Sequence, residues 1–409
     1  MTTADADGAP EAGPLEGVRV LDLAQGIAGP YAAKWLGSLG ADVVKVEPPA
    51  GDPARLAGPF PGDESDPEAS GLYLYLNTSK RGITLDLESE EGRGLLRDLA
   101  ARADIVIESF APGYLAGRGL DYEALRSQNP GLVLVSITPF GQSGPYAGTP
   151  AEEITLFALS GHMWLTGDPY RPPLKNGGSQ PSYQAGLNAL AAAIIAHFGS
   201  LMTGEGTHVD LSAQETLAGM LELYGPFASQ AGIKPRRRGN TVSAIYGTYQ
   251  CADGYAGVYC LPRNYENMAR AVGIPELLEP PFIDADERLR SNDMLEALLS
   301  GWFFQHSGRE IFEMGKSHRF PAGYVATVED LLESEQLRER HFFAEDDHPL
   351  AGPVRFPGHL WLSSEYAWDT RRAPTLGEHT ADVLTELGVS DERREQLRAG
   401  GALGGSDGS

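Results

Sequence analysis

Cysteine is scarce in this sequence, which holds only Cys251 and Cys260 among 409 residues. Two cysteines cannot build a disulfide framework, and their spacing is not the paired spacing of a zinc site. The nine histidines include no H-x-x-x-H pair, the arrangement that places two metal ligands on one helix face. These absences exclude a disulfide-stabilised fold and predict that the protein has no catalytic metal.

Positive charge is also in short supply, because 32 Lys and Arg stand against 56 Asp and Glu and leave a net charge of −24. Binding to nucleic acid or to an anionic membrane requires a basic surface, so the composition argues against both as main partners. The same charge balance still allows one anionic ligand, held in a local basic pocket.

No long uninterrupted hydrophobic run is present. Residues 1–7 are acidic and lack the apolar core of a secretion signal, which predicts a protein of the reducing cytoplasm. The longest apolar stretch, 185–202, is interrupted by Asn188, His197 and Ser200, so we expect a buried helix there rather than a membrane span. An apolar content of 42% is that of an ordinary globular protein.

What is present is an alternation of strand and helix signals over the first part of the chain. Short runs of β-branched residues and Leu predict strands at 18–23, 42–46, 83–87, 105–107 and 132–137. Between them, segments such as 30–39 and 89–103 have helical patterns, with Ser89 as a predicted N-cap. Strands that alternate with helices predict an α/β fold with a doubly wound parallel sheet, covered by helices on both faces.

The composition changes further along the chain. Residues 1–14 are small and acidic and predict a disordered lead-in, and the Gly-rich 401–409 predicts a loose tail. Two strands joined at 252–254 predict a hairpin, and helical patterns follow at 265–320. Residues 225–325 are therefore our candidate for a smaller α+β domain.

The first predicted strand leads into a glycine turn that is similar to a nicotinamide-binding fingerprint but does not match it. Gly26 and Gly29 do not form G-x-G-x-x-G, and Pro30 lacks the amide that would bind the pyrophosphate. A structural turn in a doubly wound sheet explains these glycines better than dinucleotide binding.

A second polar turn, 76–82, carries Lys80 and Arg81 side by side, a local positive charge suited to phosphate groups. An ordinary solvated turn is an equally good interpretation of this segment alone. In a parallel sheet, however, ligands bind at the carboxyl ends of the strands. We therefore expect Gln25, the 77–81 turn and the 109–113 loop to converge on one crevice.

Six groups of residues spread over the chain carry a shared family pattern. They are Gly17–Leu23 with Gly29 and Pro30, Leu39–Glu47 with Pro49, Gly51 and Asp52, Asn77–Arg81, Asp104–Pro112, Thr203–Gly206 with Val209 and Asp210, and Ala373–His379. On these residues the sequence strongly resembles the family III CoA-transferases, which include formyl-CoA transferase, the carnitine CoA-transferases and the α-methylacyl-CoA racemases. The resemblance extends from Leu15 to Ala402.

The resemblance implies a large CoA-binding domain built from 15–224 and a return segment, 326–400, with the smaller domain carried between them. Two such ring-like subunits interlock into a dimer, here a homodimer or a pair with a paralogous subunit. CoA and acyl-CoA are then substrates, used together with a small carboxylic acid, and no cofactor is permanently bound. The implied CoA contacts are Gly26, Ile27, Leu76, Asn77, Lys80, Ser109 and Phe110, to which the local positive charge adds Arg81.

The reaction centre departs from the family pattern. Family transferases carry an Asp four residues before a Gly at the start of the long helix, where it attacks the thioester and carries the acyl group as a mixed anhydride. Alignment on Gly186 places Ser182 at that position. The resemblance also places Glu153 at the second acid of the transferases and Glu152 at the His of the racemases.

Three hypotheses follow for a pocket with Glu152, Glu153 and Ser182. In the first, the protein is still a transferase, with a Glu as nucleophile or with direct transfer between bound substrates. In the second, Ser182 takes the acyl group with a Glu as base, for acyl transfer or thioester hydrolysis. In the third, the chain is a non-catalytic CoA-binding subunit or an acid/base isomerase.

These residues also have purely structural interpretations. Ser182 is a candidate N-cap of the long helix, and Glu152 and Glu153 are charges that a helix dipole favours in a first turn. Taking the resemblance and the residues together, we predict an acyl-CoA-processing enzyme. It moves CoA or an acyl group between a thioester and a carboxylic acid.

Overall fold

The computed structural model of the protein describes residues 13–222, 224–243 and 245–404, and its chain divides into two compact units. The first unit comprises the described residues up to His162, Asn176–Glu222 and those from Arg338 onward. The second comprises Met163–Lys175 and the described part of Leu223–Leu337. Of the predicted lead-in, 1–14, all but Gly13 and Pro14 lie outside the described residues. The domain boundaries set out above stay a prediction.

The strands and helices follow the chain in this order. The strands are β1 (Arg19–Asp22), β2 (Asp42–Glu47), β3 (Arg81–Thr84), β4 (Ile105–Glu108), β5 (Val133–Thr138), β6 (His208–Ser212), β7 (Thr241–Ser243), β8 (Tyr246–Cys251), β9 (Gly254–Tyr259), β10 (Ala322–Tyr324), β11 (Phe343–His348) and β12 (Gly352–Pro357). The helices are α1 (Ala28–Ser38), α2 (Gly71–Leu76), α3 (Glu90–Ala100), α4 (Tyr122–Arg126), α5 (Glu153–Leu159), α6 (His162–Leu165), α7 (Gln180–Thr203), α8 (Ala213–Gly219), α9 (Tyr224–Gln230), α10 (Tyr265–Val272), α11 (Ala285–Arg290), α12 (Asn292–Phe303), α13 (Gly308–His318), α14 (Val328–Leu332), α15 (Glu335–Glu339), α16 (Thr380–Glu386) and α17 (Asp391–Ala399).

The first unit is built on a parallel sheet with the strand order β3-β2-β1-β4-β5-β6. In β1, β2, β4 and β5, alternate residues enter two separate cores. Val133 and Val135 pack with Trp35 of α1 on one face, and Leu134 packs with Leu96 of α3 on the other. The apolar strands are therefore buried on both sides by helices, which confirms the predicted doubly wound α/β fold.

Helix α7 is long and apolar enough to cross a membrane by length and composition alone. In the first unit it packs instead against α1, β5 and α8. Ala185, Ala189 and Ala193 are completely buried in that packing. The small side chains of these alanines let α7 and α1 approach closely, which positions the first turn of α7 beside the first turn of α1.

The second unit has a core of its own. β8 and β9 form the predicted antiparallel hairpin, and the sheet order there is β10-β9-β8-β7. Helices α10, α12 and α13 bury apolar side chains such as Met268, Leu295 and Ile311 against it. Cys251 and Cys260 are buried and carry free thiols.

The C-terminal segment covers the edge strand β3. The N–H of Gly82 donates to His379 Nδ1 at 3.1 Å, and the N–H of Asp86 donates to the Ala402 carbonyl at 2.9 Å. Ala402 and Leu403 are buried in the core cluster that contains α3. The predicted loose tail is therefore wrong for residues 401–404, because two apolar side chains anchor them, and 405–409 lie outside the described residues.

Candidate active site

The chain turns sharply between β1 and α1, at the point where the strand order of the sheet reverses. In such sheets the ligand crevice lies beside this switch point, at the carboxyl ends of the strands. Gly26 has a φ of 75°, a conformation that a residue with a Cβ rarely adopts. Its N–H donates to Asp52 Oδ1 at 3.1 Å, and the N–H of Gln25 donates to Ser109 Oγ at 2.9 Å. The structure thus joins the 25–27 turn to the loop that follows β4.

Four buried charged side chains lie beneath this turn. Lys45 Nζ donates to Asp52 Oδ2 at 2.7 Å and to the carbonyl of Ala24, and Lys80 Nζ donates to Asp22 Oδ2 at 2.7 Å. Burial lowers the pKa of Lys80 to about 8, although Asp22 opposes the shift. Removing one partner of such a set strands a buried charge, so the four side chains hold the turn in one conformation.

Lys80 and Arg81 do not form the open positive charge that their neighbouring positions predict. Lys80 is buried, and Arg81 is paired with Asp42 and Glu386 at 2.7 Å each. Arg81 is the first residue of β3, so its guanidinium lies at the end of the sheet where the parallel strands begin, and it lines a cavity of about 250 Å³ there. Consecutive side chains point in opposite directions as the chain enters a strand, and this separates the two cations.

Leu76 and Asn77 are both fully buried. Asn77 Oδ1 accepts from Lys80 Nζ at 2.9 Å and so joins the buried charges. Phe110 is half-buried and stacks on Tyr114 with ring centroids 4.4 Å apart. Of the predicted CoA contacts, the 25–27 turn, Ser109 and Phe110 are partly exposed, whereas Leu76, Asn77 and Lys80 are buried.

The predicted reaction centre lies at the starts of two helices. Ser182, in the first turn of α7, donates its hydroxyl hydrogen to Glu153 Oε1 in a short contact. Glu153 begins α5, and its other oxygen, Oε2, is buried with no hydrogen-bond partner among the described residues. Glu152, the N-cap of α5, is exposed and makes no capping hydrogen bond. The structure therefore brings together Ser182 and Glu153.

The interpretation of Ser182 as an N-cap is wrong. The N-cap of α7 is Ser179, whose side chain makes no capping bond, and Pro181 follows within the first turn. Proline needs no N–H partner at a helix start, so the turn forms without a side-chain cap. The hydroxyl of Ser182 is thereby free to bind the carboxylate of Glu153.

The reaction centre is packed against the 25–27 turn through α1. A Cβ placed on Gly186 would lie 2.6 Å from the carbonyl oxygen of Ala28, so only glycine allows this approach of α7 to the start of α1. Tyr31 of α1 meets Tyr183 edge-on, with ring centroids 4.8 Å apart. Burial, together with Tyr31 and Glu153, raises the pKa of the Tyr183 phenol, so it stays neutral beside the carboxylate.

Among the described residues, no group of three or more His, Cys, Asp and Glu side chains is arranged to hold a metal ion. The chemistry on offer is instead that of a carboxylate and a hydroxyl beside a rigid backbone turn. Such a pair can attack a carbonyl carbon or move a proton.

Comparison with known proteins identifies the kind of enzyme. The family described as CoA-transferase family III matches residues 15–380. The chain belongs to this family. Subunit BbsE of succinyl-CoA:(R)-benzylsuccinate CoA-transferase from Thauera aromatica is 35% identical over 94% of this chain and 97% of that protein. Succinate–glutarate CoA-transferase from Agrobacterium fabrum is 33% identical over 91% and 96%.

Solved structures agree with the family assignment. A CAIB/BAIF family protein from Brucella suis has a TM-score of 0.84 and 33% identity, and the match covers 92% of this chain and all of that one. The protein is therefore a family III CoA-transferase, an enzyme class that moves CoA between a thioester and a carboxylic acid. This confirms the predicted enzyme class.

The buried charges beneath the 25–27 turn of this CoA-transferase are a feature of the site that the sequence interpretation missed. Asp22 and Lys45 stand inside apolar strands, and a charge within a buried strand requires a partner. The same signal marks Glu47, which binds Arg55 through two hydrogen bonds of 2.7 and 2.8 Å and accepts one of 2.8 Å from Tyr73. The charges were visible in the sequence, but their pairing was not.

Proposed function

We propose that this enzyme transfers CoA between the thioester of a dicarboxylic acid and a second carboxylic acid, with Glu153 as the nucleophile. Two relatives are named for succinyl-CoA, (R)-benzylsuccinate, succinate and glutarate, and these names support dicarboxylic substrates. Ser182 is the hydrogen-bond donor that orients the carboxylate. CoA lies along Gly26, Ile27, Ser109 and Phe110.

The environment of the Glu153 carboxylate is the observation that carries this proposal. Ser182 occupies one oxygen, Oε1, and the second oxygen has no hydrogen bond among the described residues. A carboxylate with a free lone pair, in a half-buried side chain, attacks a thioester more readily than one that is fully solvated. Glu152 is exposed and lacks such surroundings.

The chemistry of the overall reaction favours a carboxylate over the Ser182 hydroxyl. An acyl group on serine is an oxygen ester, and a carboxylate acceptor that attacks an ester must form an anhydride, which lies far higher in free energy. An acyl group on Glu153 is already an anhydride. Each later step then exchanges groups of similar reactivity, as covalent catalysis requires.

The reaction balances in four steps. The Glu153 carboxylate attacks the thioester carbonyl, the carbon–sulfur bond breaks, and CoA leaves as a thiolate. The thiolate then attacks the glutamyl carbonyl of the anhydride, which releases the donor acid and leaves a glutamyl–CoA thioester. The acceptor carboxylate attacks that thioester to form a new anhydride and expel the thiolate. The thiolate finally attacks the acceptor acyl carbon, which regenerates the Glu153 carboxylate.

Four variants test this assignment. Succinyl-CoA is incubated with a panel of carboxylic acids, and the new acyl-CoA is followed by mass spectrometry. We expect Glu153→Gln to abolish exchange, Ser182→Ala to weaken it, and the matched control Glu152→Gln to leave it unchanged. Ser182→Asp offers a second carboxylate, so we expect it to retain exchange. An acyl group trapped on Ser182, or wild-type exchange by Glu153→Gln, would contradict the proposal.

A second candidate is a CoA-binding subunit that requires a paralogous partner. One relative, BbsE, is named as a subunit of its enzyme, and its identity to this chain is 35%. CoA binding without exchange for any pair of acids would favour this candidate. Exchange by the purified chain alone would exclude it.

We also propose that the chain forms a dimer, with itself or with that paralogue. The solvent-facing side of α7 is strongly apolar, since Ile195, Phe198, Leu201 and Met202 are each at least 64% exposed. An apolar stripe of this kind is typical of an interface. Light scattering on the purified chain measures its oligomeric state, and a stable monomer that exchanges CoA would contradict the proposal.

The two free, buried thiols of the protein, Cys251 and Cys260, support a location in the reducing cytoplasm.

A further inference from the structure

The cavity lined by Arg81 lies at the end of the sheet where the parallel strands begin, opposite the carboxyl ends of the strands. Its volume is about 250 Å³, and its apolar lining includes Leu21, Val44, Leu99 and Val383. These residues belong to the sheet, to α3 and to α16, and all of them lie in the first unit. We call this space the amino-end cavity. None of the residues that we propose for CoA transfer lines it.

The floor of the amino-end cavity is apolar. Leu21, Val44, Leu99 and Val383 belong to the core cluster that contains α3, so the cavity reaches the hydrophobic core. Its volume equals that of about eight molecules of liquid water. This is just below the roughly 300–1,000 Å³ of pockets that bind drug-sized ligands. Because covering apolar surface with an apolar group is favourable, the cavity suits a compact ligand with an apolar body.

The charged side chains around the cavity do not balance. Arg81 is fully paired, because its guanidinium binds both Asp42 and Glu386. Arg19 is exposed, and its side chain makes no hydrogen bond or ion pair with any described residue. Arg102 donates to two backbone carbonyls at the end of α16, at 2.8 and 3.4 Å, and these carbonyls carry no charge. The three arginines and two carboxylates of the lining therefore leave one positive charge unbalanced.

We propose that the amino-end cavity is a second ligand site, which binds a small monocarboxylic acid with an apolar body. The carboxylate binds Arg19 and Arg102, since a single negative charge balances the one that the lining leaves open. A phosphate group carries a second negative charge, which Asp42 and Glu386 would repel. The apolar body lies on the floor of the cavity. This site is separate from the candidate active site and does not rest on the proposed function.

A ligand in the amino-end cavity joins the C-terminal segment to the sheet. Val383 and Leu387 come from that segment, whereas Leu21 and Val44 come from β1 and β2. Such a ligand contacts both sides only in the folded protein, so it stabilises the fold by mass action. We therefore expect it to raise the melting temperature.

Benzoate is the probe for this site, and benzamide has the same ring without the charge. Isothermal titration calorimetry measures the binding of both compounds to the full chain. Arg19→Gln removes the unpaired cation, and Leu387→Trp fills the cavity from a half-buried position in its lining. The matched control is Arg393→Gln, since Arg393 is an exposed arginine of the same unit that does not line the cavity. In crystals soaked with 4-bromobenzoate, the anomalous signal of bromine locates the bound molecule.

We expect the wild type to bind benzoate about tenfold more tightly than benzamide. Arg19→Gln should weaken benzoate about fivefold and leave benzamide within about twofold, because only the charged ligand uses the guanidinium. A merely structural role of Arg19 would weaken both ligands equally. Leu387→Trp should lose both ligands, whereas Arg393→Gln should keep both within about twofold. Bromine should lie beside Leu99 and Val383.

Four results would overturn the inference: no binding of benzoate, an equal loss of benzoate and benzamide in Arg19→Gln, unchanged binding by Leu387→Trp, or bromine found only outside the cavity. Circular dichroism and thermal melting show whether each variant is folded. Arg19 is exposed, so its variant keeps the test decisive even where Leu387→Trp does not fold. Because the readout is binding and not turnover, failure of the exchange reaction would contradict only the proposed function.

Discussion

Gly186 lies where α7 meets the first turn of α1, and we expect an added methyl group there to separate the two helices. Its Cβ would lie 2.6 Å from the carbonyl oxygen of Ala28 and 3.1 Å from the ring of Tyr31. The carbonyl cannot yield without moving the turn that follows β1, so overpacking costs up to ~3 kcal/mol. The higher helix propensity of Ala offsets ~1 kcal/mol of this, which leaves Gly186→Ala about 2 kcal/mol less stable than the wild type.

Gly199, in the same helix, provides the matched control. A Cβ there meets no atom within 4 Å. Gly199→Ala therefore receives only the gain in helix propensity, and we expect it to be ~1 kcal/mol more stable than the wild type. One chemical change at two positions of α7 should thus have opposite signs, with a difference of ~3 kcal/mol between the variants.

Urea unfolding followed by circular dichroism measures this difference. The exchange of CoA from succinyl-CoA, followed by mass spectrometry, measures the effect on the site. Gly186→Ala should lower exchange as well as stability, because Ser182 lies one turn earlier in α7 and moves with it. Equal stability of the two variants, or wild-type exchange by Gly186→Ala, would refute the close packing of α7 on α1.

Three further predictions concern buried charge and helix capping. Burial, reinforced by the charge of Lys80, lowers the pKa of Lys34 from 10.5 to about 7. Between these pH values the folded state holds fewer protons than the unfolded state, so the free energy of unfolding rises with pH. The upper limit of this effect on the free energy of unfolding is ~5 kcal/mol. In urea unfolding, Lys34→Met should lose this rise of stability with pH, and a rise equal to that of the wild type would contradict the prediction. Asp52→Asn leaves the buried charge of Lys45 with only Asp22, at 3.9 Å, within ion-pair distance, and should cost ~3 kcal/mol in thermal unfolding, together with weaker CoA binding. An unchanged melting temperature would count against the buried pair. Ser307→Ala removes a capping box in the second unit and should cost ~1 kcal/mol without altering CoA exchange, whereas altered exchange at full stability would contradict a purely structural role.

The β/α alternation could be predicted because the parallel strands are buried on both faces. A strand such as β5 is then a continuous apolar run, which the sequence displays directly. The start of α3 was equally predictable. Ser89 is confirmed as its N-cap, and its hydroxyl accepts from the N–H of Gly92 at 3.0 Å. Such signals are local, so they survive without knowledge of the fold.

The candidate site was predictable only in part, because its polar contacts join distant positions. Lys80 and Asp22 are 58 positions apart, and nothing local to either residue indicates that they pair. For this reason a buried lysine was interpreted as a phosphate-binding group. The alternative interpretation of Ser182 as a helix cap is wrong for the same reason, since its partner, Glu153, lies 29 positions away.

The covering of β3 by the C-terminal segment has a consequence for synthesis on the ribosome. His379, about 300 positions later in the chain, hydrogen-bonds this edge strand at Gly82, and Ala402 binds Asp86, two residues beyond the strand. Until those residues emerge, the nascent sheet presents an unpaired edge of the kind that recruits other strands. We therefore expect nascent chains truncated before Ala373 to aggregate or to require a chaperone. The edge of the sheet is covered only when the C-terminal segment has been synthesised and binds β3.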